Sequence, residues 1–288
     1  MPDAALRATI DTALRDAGAG ALREVRELGG GSFGATCRID TAAGRFFFKL
    51  GAAAHPFEAE ARALEEIGAT RTLRVPRPIA HGVTGKHGWL LLEWIDLAPD
   101  GDWLAAGQRL AALHAVHAKA FGWPRDNTIG ATAQFNGRCA TWAEFWRERR
   151  LRPQFRLAHA NGHGALAALE SRACSASDAL LAGHAPPASL LHGDLWRGNL
   201  AFDTLGAPVV FDPSTYHGDA ETDLAMARLF GGFPHALFDA YDGVHPRAPG
   251  AAQRLRLYQL YHVLNHANLF GGGYGAQARA LIEALDAP

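Results

Sequence analysis

The sequence changes texture at Glu93, and that change restricts the architecture more than any other feature. Before it, ALREVREL (21–28), GATCRID (34–40) and RFFFKL (45–50) are short strand-forming runs punctuated by GGGSFG and TAAG, which predicts an antiparallel meander of three strands. Leu6, Ile10 and Leu14 recur at four-residue spacing and predict a helix over 4–17; a second helix is expected from about Pro56 to Gly68, then RVPRPIA and HGWLLLEW as two more strands. After Glu93, residues 102–119 return to helical spacing, and the remainder reads as helical apart from NLAFD and PVVFD, a hairpin across TLGA. The expected fold is α+β in two lobes: an antiparallel-sheet N-terminal lobe over 1–95 and a mainly helical C-terminal lobe over 96–288.

With 288 residues, 48% of them hydrophobic, the chain can bury a core in each of two unequal lobes. A formal net charge of -1 gives no global reason to bind nucleic acid or an anionic membrane, so any polyanion must be met locally. Cys37, Cys139 and Cys174 are far apart without a CxxC pair, which argues against zinc and disulfide frameworks and fits a reducing compartment. The first residues form an amphipathic helix carrying acids rather than the apolar run of a signal peptide, and no stretch of 18 apolar residues occurs, so a soluble, cytoplasmic protein is expected.

Against that background, residues 190–214, LLHGDLWRGNLAFDTLGAPVVFDPS, place Asp194, Asn199 and Asp212 among apolar neighbours where their desolvation is costly unless something binds them. Asp194 and Asn199 stand in the D-x-x-x-x-N spacing of a kinase catalytic loop, in which the Asp receives or orients the attacking hydroxyl and the Asn binds magnesium. Asp212 follows at a strand end, where a carboxylate can bridge Mg²⁺ to phosphate oxygens. Lys49, after three phenylalanines, is read either as a lysine snorkelling from a strand end or as a phosphate-binding lysine paired with an acid of FEAEARAL. Glu60 is preferred to Glu58, although both stay open. The glycine-rich turn with Gly30, Gly31, Ser32 and Phe33 is a plain hairpin or a backbone cradle for phosphate, and it is not the Walker pattern. Each of these has an ordinary structural explanation alone; their fixed order is what points to phosphoryl transfer.

Other residues receive simpler readings first. Glu221 and Asp223 suit a helix start, where acids favour the macrodipole. His262 and His266, four apart, are read as satisfied or stacked rather than metal-binding, and Trp142 and Trp146 as a core-packed helix face.

The motifs HGDLWRGN (192–199), FDPSTYHGDAETDLAMARLFGGF (211–233), FGWPRDNTIGATAQFN (121–136) and LYQLYHVLNHANLFGGGY (257–274) resemble the fructosamine kinase, or ketosamine 3-kinase, family, with RVPRP and FEAEARAL extending the resemblance over nearly the whole chain. The resemblance implies a kinase-like fold with ATP in the cleft between the lobes, and ATP-dependent phosphorylation of the 3-hydroxyl of ketosamines, leading to deglycation of amines and proteins. It implies Asp194 as catalytic base, Asn199 and Asp212 as Mg²⁺ ligands, Lys49 as the phosphate-binding lysine, and the backbone after Glu93, at Trp94 and Ile95, as an adenine contact. Trp196, Tyr216, Asp219 and His266 are candidate substrate residues, and the stretch 241–275 carries a single acid, Asp242, too few for a polycationic aminoglycoside. An aminoglycoside or other small-amine kinase and an ATP-binding pseudokinase remain the alternatives; monomer and homodimer both stay open. Two departures stand out: Ser32 replaces a loop cysteine common in the family, which puts a loop redox switch in doubt, and Arg197 replaces a small residue, with phosphate contact and solvent exposure both open.

Overall fold

The computed structural model describes residues 4–31, 34–55 and 57–285. In chain order its elements begin α1 (Ala4–Asp16), β1 (Leu22–Gly31), β2 (Gly34–Thr41), β3 (Arg45–Ala52), α2 (Phe57–Thr70), β4 (Pro78–Thr84), β5 (His87–Glu93) and β6 (Leu97–Ala98). There follow α3 (Trp103–His114), β7 (His117–Ala118), β8 (Asn127–Ile129), β9 (Thr132–Gln134) and α4 (Trp142–Phe145), which runs through a π-helical turn (Trp146–Leu151) into α5 (Arg152–Ala160). The rest comprises α6 (Gly164–Ala167), α7 (Glu170–Leu180), β10 (Ala188–Leu190), β11 (Leu200–Asp203), β12 (Pro208–Val210), β13 (His217–Gly218), α8 (Glu221–Leu229), α9 (His235–Val244), α10 (Ala251–Phe270) and α11 (Tyr274–Leu285). They form two compact units, Met1–Gly101 with Ala201–Asp212, and Asp102–Leu200 with Pro213–Pro288.

The first unit is a five-stranded antiparallel sheet, ordered β1-β2-β3-β5-β4, with a helix on each face. Strand alternation decides which residue meets which helix. Phe48, Trp89 and Leu91 join Leu6, Ile10 and Leu14 of α1 in one core, whereas Phe47, Leu90 and Leu92 pack with Phe57, Ala61 and Leu64 of α2 in the other. Each fully buried Leu or Ile contributes about 1.5–3 kcal/mol. Lys49, two residues after Phe47, therefore shares the face that α2 covers. Gly34 is glycine for a steric reason: a Cβ there would stand 1.9 Å from the Leu50 carbonyl oxygen.

The expected lobe limits were 1–95 and 96–288; the compact units instead divide between Gly101 and Asp102, and the 201–212 hairpin groups with the first. Strand pairing is the reason, since Phe202 and Asp203 of β11 face Ala98 and Leu97 of β6, while the Val210 N–H donates to the Arg74 carbonyl. RVPRPIA is a strand only from Pro78, because two prolines remove ladder donors; Arg74 itself makes one isolated bridge, to Val209.

In the second unit α10 is the central helix, packing Leu257, Tyr258, Leu260, Tyr261 and Val263 in the core. Trp142 and Trp146 are buried against the Tyr258 ring, as the four-residue spacing implied. The helix expected over 102–119 stops at His114. Backbone pairing overrides its helical pattern there, because Leu190 donates to the Val116 carbonyl and His117–Ala118 pairs with β10. β8–β9 and the β13-β10-β7 sheet, with strands of two or three residues, were too short to show any periodicity. Among the described residues no helix is long and apolar enough to cross a membrane.

Candidate active site

Within the first unit, Lys49 Nζ donates to Glu60 Oε1 at 2.6 Å and to Asp212 Oδ1 at 2.5 Å. Glu60 is thus the partner and Glu58 faces solvent. Burial opposes the Lys49 charge, but the two carboxylates outweigh it and its pKa rises, so Lys49 is an ammonium at every physiological pH. That pair also excludes the snorkelling reading. Burial, assisted by the Asp212 charge, pushes Glu60 up against the pull of Lys49. Asp212 adopts φ 57°, a left-handed conformation that is unusual for a residue other than glycine. Such conformations cost about 1 kcal/mol or more and gather at functional sites. Its side chain stays 48% exposed, against 12% for Lys49 and Glu60, so the carboxylate is tethered yet open to a ligand.

Within the second unit, a tight turn presents Asp194. The Trp196 and Asn199 N–H groups donate to the Asp194 and Trp196 carbonyls at 3.0 Å each. Asn199 Nδ2 donates to the Asp194 carbonyl at 2.9 Å and approaches its carboxylate at 3.3 Å. With the amide nitrogen committed to Asp194, the Asn199 amide oxygen is the group it offers as a ligand. Gly193 has φ 85°, and a Cβ there would lie 2.0 Å from the Ser214 carbonyl oxygen, so HGD admits no larger residue.

The support beneath this turn was not legible in the sequence. Asp223, 1% exposed, accepts from the His192 N–H at 2.7 Å and the Gly193 N–H at 2.8 Å. His114 Nε2 reaches the same carboxylate at 3.1 Å and its Nδ1 meets the Tyr241 hydroxyl at 2.8 Å. Burial alone would raise the Asp223 pKa; the His114 hydrogen bond and the nearby His192 and Gly193 groups reverse that and lower it. Asp223 therefore anchors the turn that carries Asp194 as an anion and does more than complement the helix dipole. The only available signal was an acid flanked by the apolar run LAMARLF.

Of the remaining expected residues, Gly30 and Gly31 end β1, where Gly31 pairs with Gly34; Ser32 and Phe33 lie outside the described residues. Glu93 closes β5, and the Trp94 indole is fixed by Asp96 at 2.8 Å over Arg38 and Phe47, with Ile95 half-buried beside it. Trp196 is exposed in the catalytic turn, and His266 is half-buried among the Phe230, Phe270 and Tyr274 rings, with Nδ1–H donating to the His262 carbonyl. Two substrate candidates are corrected. Tyr216 is buried against Phe145 and Arg150, and Asp219 is buried with its carboxylate accepting from Tyr258 Oη at 2.6 Å and the Glu221 N–H at 3.0 Å and paired with His184 Nε2 at 2.7 Å. Both side chains are buried, Tyr216 in an aromatic cluster and Asp219 with its carboxylate already held by three polar partners. Arg197 stacks over Trp103 at 5.0 Å and donates to the Leu200 carbonyl at 2.6 Å, which commits its guanidinium within the second unit.

The donor set fits Mg²⁺. Taken unit by unit, Asp212 in the first offers an exposed carboxylate oxygen and Asn199 in the second an amide oxygen, each the kind of donor a hard cation prefers.

Comparison with known proteins follows this geometry. A family model described as fructosamine kinase matches residues 7–287. A Synechocystis protein described as a probable ketoamine kinase is 45% identical over 91% of this chain and 90% of its own. The chloroplastic protein-ribulosamine 3-kinase of Arabidopsis thaliana is 37% identical over 91% of this chain and 82% of its own. A solved structure from Haemophilus somnus designated a fructosamine-3-kinase superposes with a TM-score of 0.87 at 25% identity, covering 96% of each chain. At 16% identity, the aminoglycoside phosphotransferase APH(4)-Ia, solved with AMP-PNP and hygromycin B, shares the fold with a TM-score of 0.64 over 97% of this chain and 99% of its own.

Proposed function

The chain belongs to the fructosamine kinase family, and on that premise we propose that it transfers the γ-phosphate of ATP to the 3-hydroxyl of a ketosamine, a ribulosamine or fructosamine adduct of a lysine or free amine. The observation that carries this reading is the Lys49 ammonium clasped by Glu60 and Asp212, a cation held in place for phosphate beside a carboxylate open to metal. Lys49 binds the nucleotide phosphates and Glu60 orients it. Gly30 and Gly31 belong to the glycine-rich turn assigned to the phosphates, a role the sequence extends to Ser32 and Phe33, and the backbone at Glu93, Trp94 and Ile95 receives the adenine. Asp194 accepts the proton of the attacking 3-hydroxyl. Asn199 and Asp212 would hold Mg²⁺, which would supply neutralisation of charge on the phosphate oxygens. The 3-phosphate then eliminates inorganic phosphate, and water hydrolyses the remaining enamine, through its imine tautomer, to the free amine and a dicarbonyl sugar fragment, which amounts to deglycation.

Trp196 and His266 are the accessible members of the substrate set. The His266 Nδ1–H is committed to the His262 carbonyl and burial lowers the ring's pKa, so the neutral imidazole presents Nε2 as an acceptor for a sugar hydroxyl or protonated amine. Such a site suits one ammonium, not the several of an aminoglycoside. Ribulosyl- or fructosyl-lysine should therefore exceed kanamycin at least 100-fold in kcat/KM, about 2.7 kcal/mol in transition-state binding. Comparable rates in a coupled ADP assay would transfer the assignment to the aminoglycoside class.

A further inference from the structure

Asp212 depends on something that fixes its backbone as well as on Lys49. The strand that delivers it, β12, has three residues and pairs with β11 at one edge of a three-stranded sheet. Two residues before Asp212, the Val210 N–H donates to the Arg74 carbonyl at 2.9 Å, beside the parallel Arg74–Val209 bridge. The Arg74 guanidinium then reaches in two directions: Nη1 donates to Asp203 Oδ2 at 2.7 Å and Nη2 to Glu93 Oε1 at 3.2 Å. Asp203 passes the restraint on, because its Oδ1 accepts from Leu205 and Ala207 across the hairpin turn at 2.9 and 3.0 Å. The Ala207 N–H above all, then Leu205 and Arg74, outweigh burial and lower the Asp203 pKa, so this clamp is anionic at neutral pH. Glu93 Oε2 in turn accepts from the Arg77 N–H at 3.2 Å, which ties the end of β5 to the same segment.

We propose that Arg74 is a positioning residue for phosphoryl transfer: through Asp203 and Val210 it sets the placement of Asp212, and through Glu93 it fixes the end of β5 to the same frame. The inference rests on the metal role given to Asp212 above. Its energetic signature is distinctive. With 43% of the Arg74 side chain exposed, the ion pairs add little to stability. A misplacement of about 1 Å at a reacting centre, by contrast, can cost about 100-fold in rate.

The test titrates Mg²⁺ calorimetrically into the full-length protein saturated with AMP-PNP, for wild type, Arg74→Gln, Arg74→Lys, Asp203→Asn and the Arg74→Gln/Asp203→Asn double variant, alongside urea unfolding and kinetics. Arg74→Gln should weaken Mg²⁺ binding about 10-fold and lower kcat, within the roughly 100-fold that a misplacement of about 1 Å can cost, while ketosamine KM and the urea midpoint stay near wild type. Asp203→Asn should match it, the double variant should be no worse than either alone, and Arg74→Lys should recover part of the loss. Wild-type Mg²⁺ affinity in Arg74→Gln, or a loss that follows the urea midpoint across all variants, would overturn the proposal. Because the titration contains no sugar, a protein that binds Mg²⁺·AMP-PNP normally yet phosphorylates no ketosamine would overturn the functional reading and leave the Arg74 result to stand by itself.

Discussion

Asp212→Ala should abolish turnover and weaken binding of magnesium–ATP, whereas Asp194→Asn should abolish turnover and leave nucleotide affinity nearly intact. The two carboxylates are in different chemical positions. Asp212 accepts from Lys49 at 2.5 Å while its side chain stays 48% exposed, as the proposed metal ligand must; Asp194 sits in a turn braced by Asn199, as the proposed base. Removing a base costs about 10²- to 10⁴-fold in rate. Removing a direct metal ligand should cost at least the 10- to 100-fold in metal affinity that is typical of outer partners, about 1.4–2.7 kcal/mol, in addition to the rate. Calorimetry with Mg²⁺·AMP-PNP and single-turnover kinetics on both variants separate these effects. Equal loss of nucleotide affinity in two folded variants would contradict the division of roles.

Lys49→Met should raise the KM for ATP or lower kcat by about 10- to 1000-fold, about 1.4–4 kcal/mol of transition-state stabilisation. An ammonium held by two carboxylates is a fixed point charge that a thioether cannot replace, and its removal leaves Glu60, 12% exposed, without its cation. The structural side of this substitution has a sign that can be checked. The folded pKa of Lys49 is raised above the unfolded value near 10.4, so its contribution to stability is full at neutral pH and is lost only as pH rises through the folded value. Between about pH 6 and 9 the stability difference from Lys49→Met contributed by this titration should stay flat. Wild-type kinetics in the variant would return Lys49 to a merely structural role.

Local pattern reached some of this site and not the rest, for physical reasons. Lys49, Asp194, Asn199 and Asp212 stood out in the sequence because phosphoryl transfer, the proposed reaction, would impose residue type and spacing together. Glu60 and Glu58, two apart and so about 200° apart around the helix, could be separated only by knowing which face of α2 meets the sheet. Asp223 and Arg74 were missed because their partners are remote in sequence, Asp203 lying 129 residues from Arg74 and His192 31 from Asp223. The misassigned Asp219 and Tyr216 follow β10–β13 pairing, a two-residue ladder with no periodicity to read, which carries them into the core. The same limit displaced the lobe boundary, since the 201–212 hairpin is bonded to β6 and Arg74 rather than to its neighbours in the chain.

The central claim is deglycation driven by ATP, and it is tested most directly by incubating ribulosyl-lysine with the protein and Mg²⁺·ATP while ADP and free lysine are counted together. The account predicts ADP formed at once and free lysine following until the two are equimolar, with neither formed by Asp194→Asn. A folded, nucleotide-binding protein that releases no ADP with any ketosamine, or that releases ADP without ever freeing lysine, would contradict it.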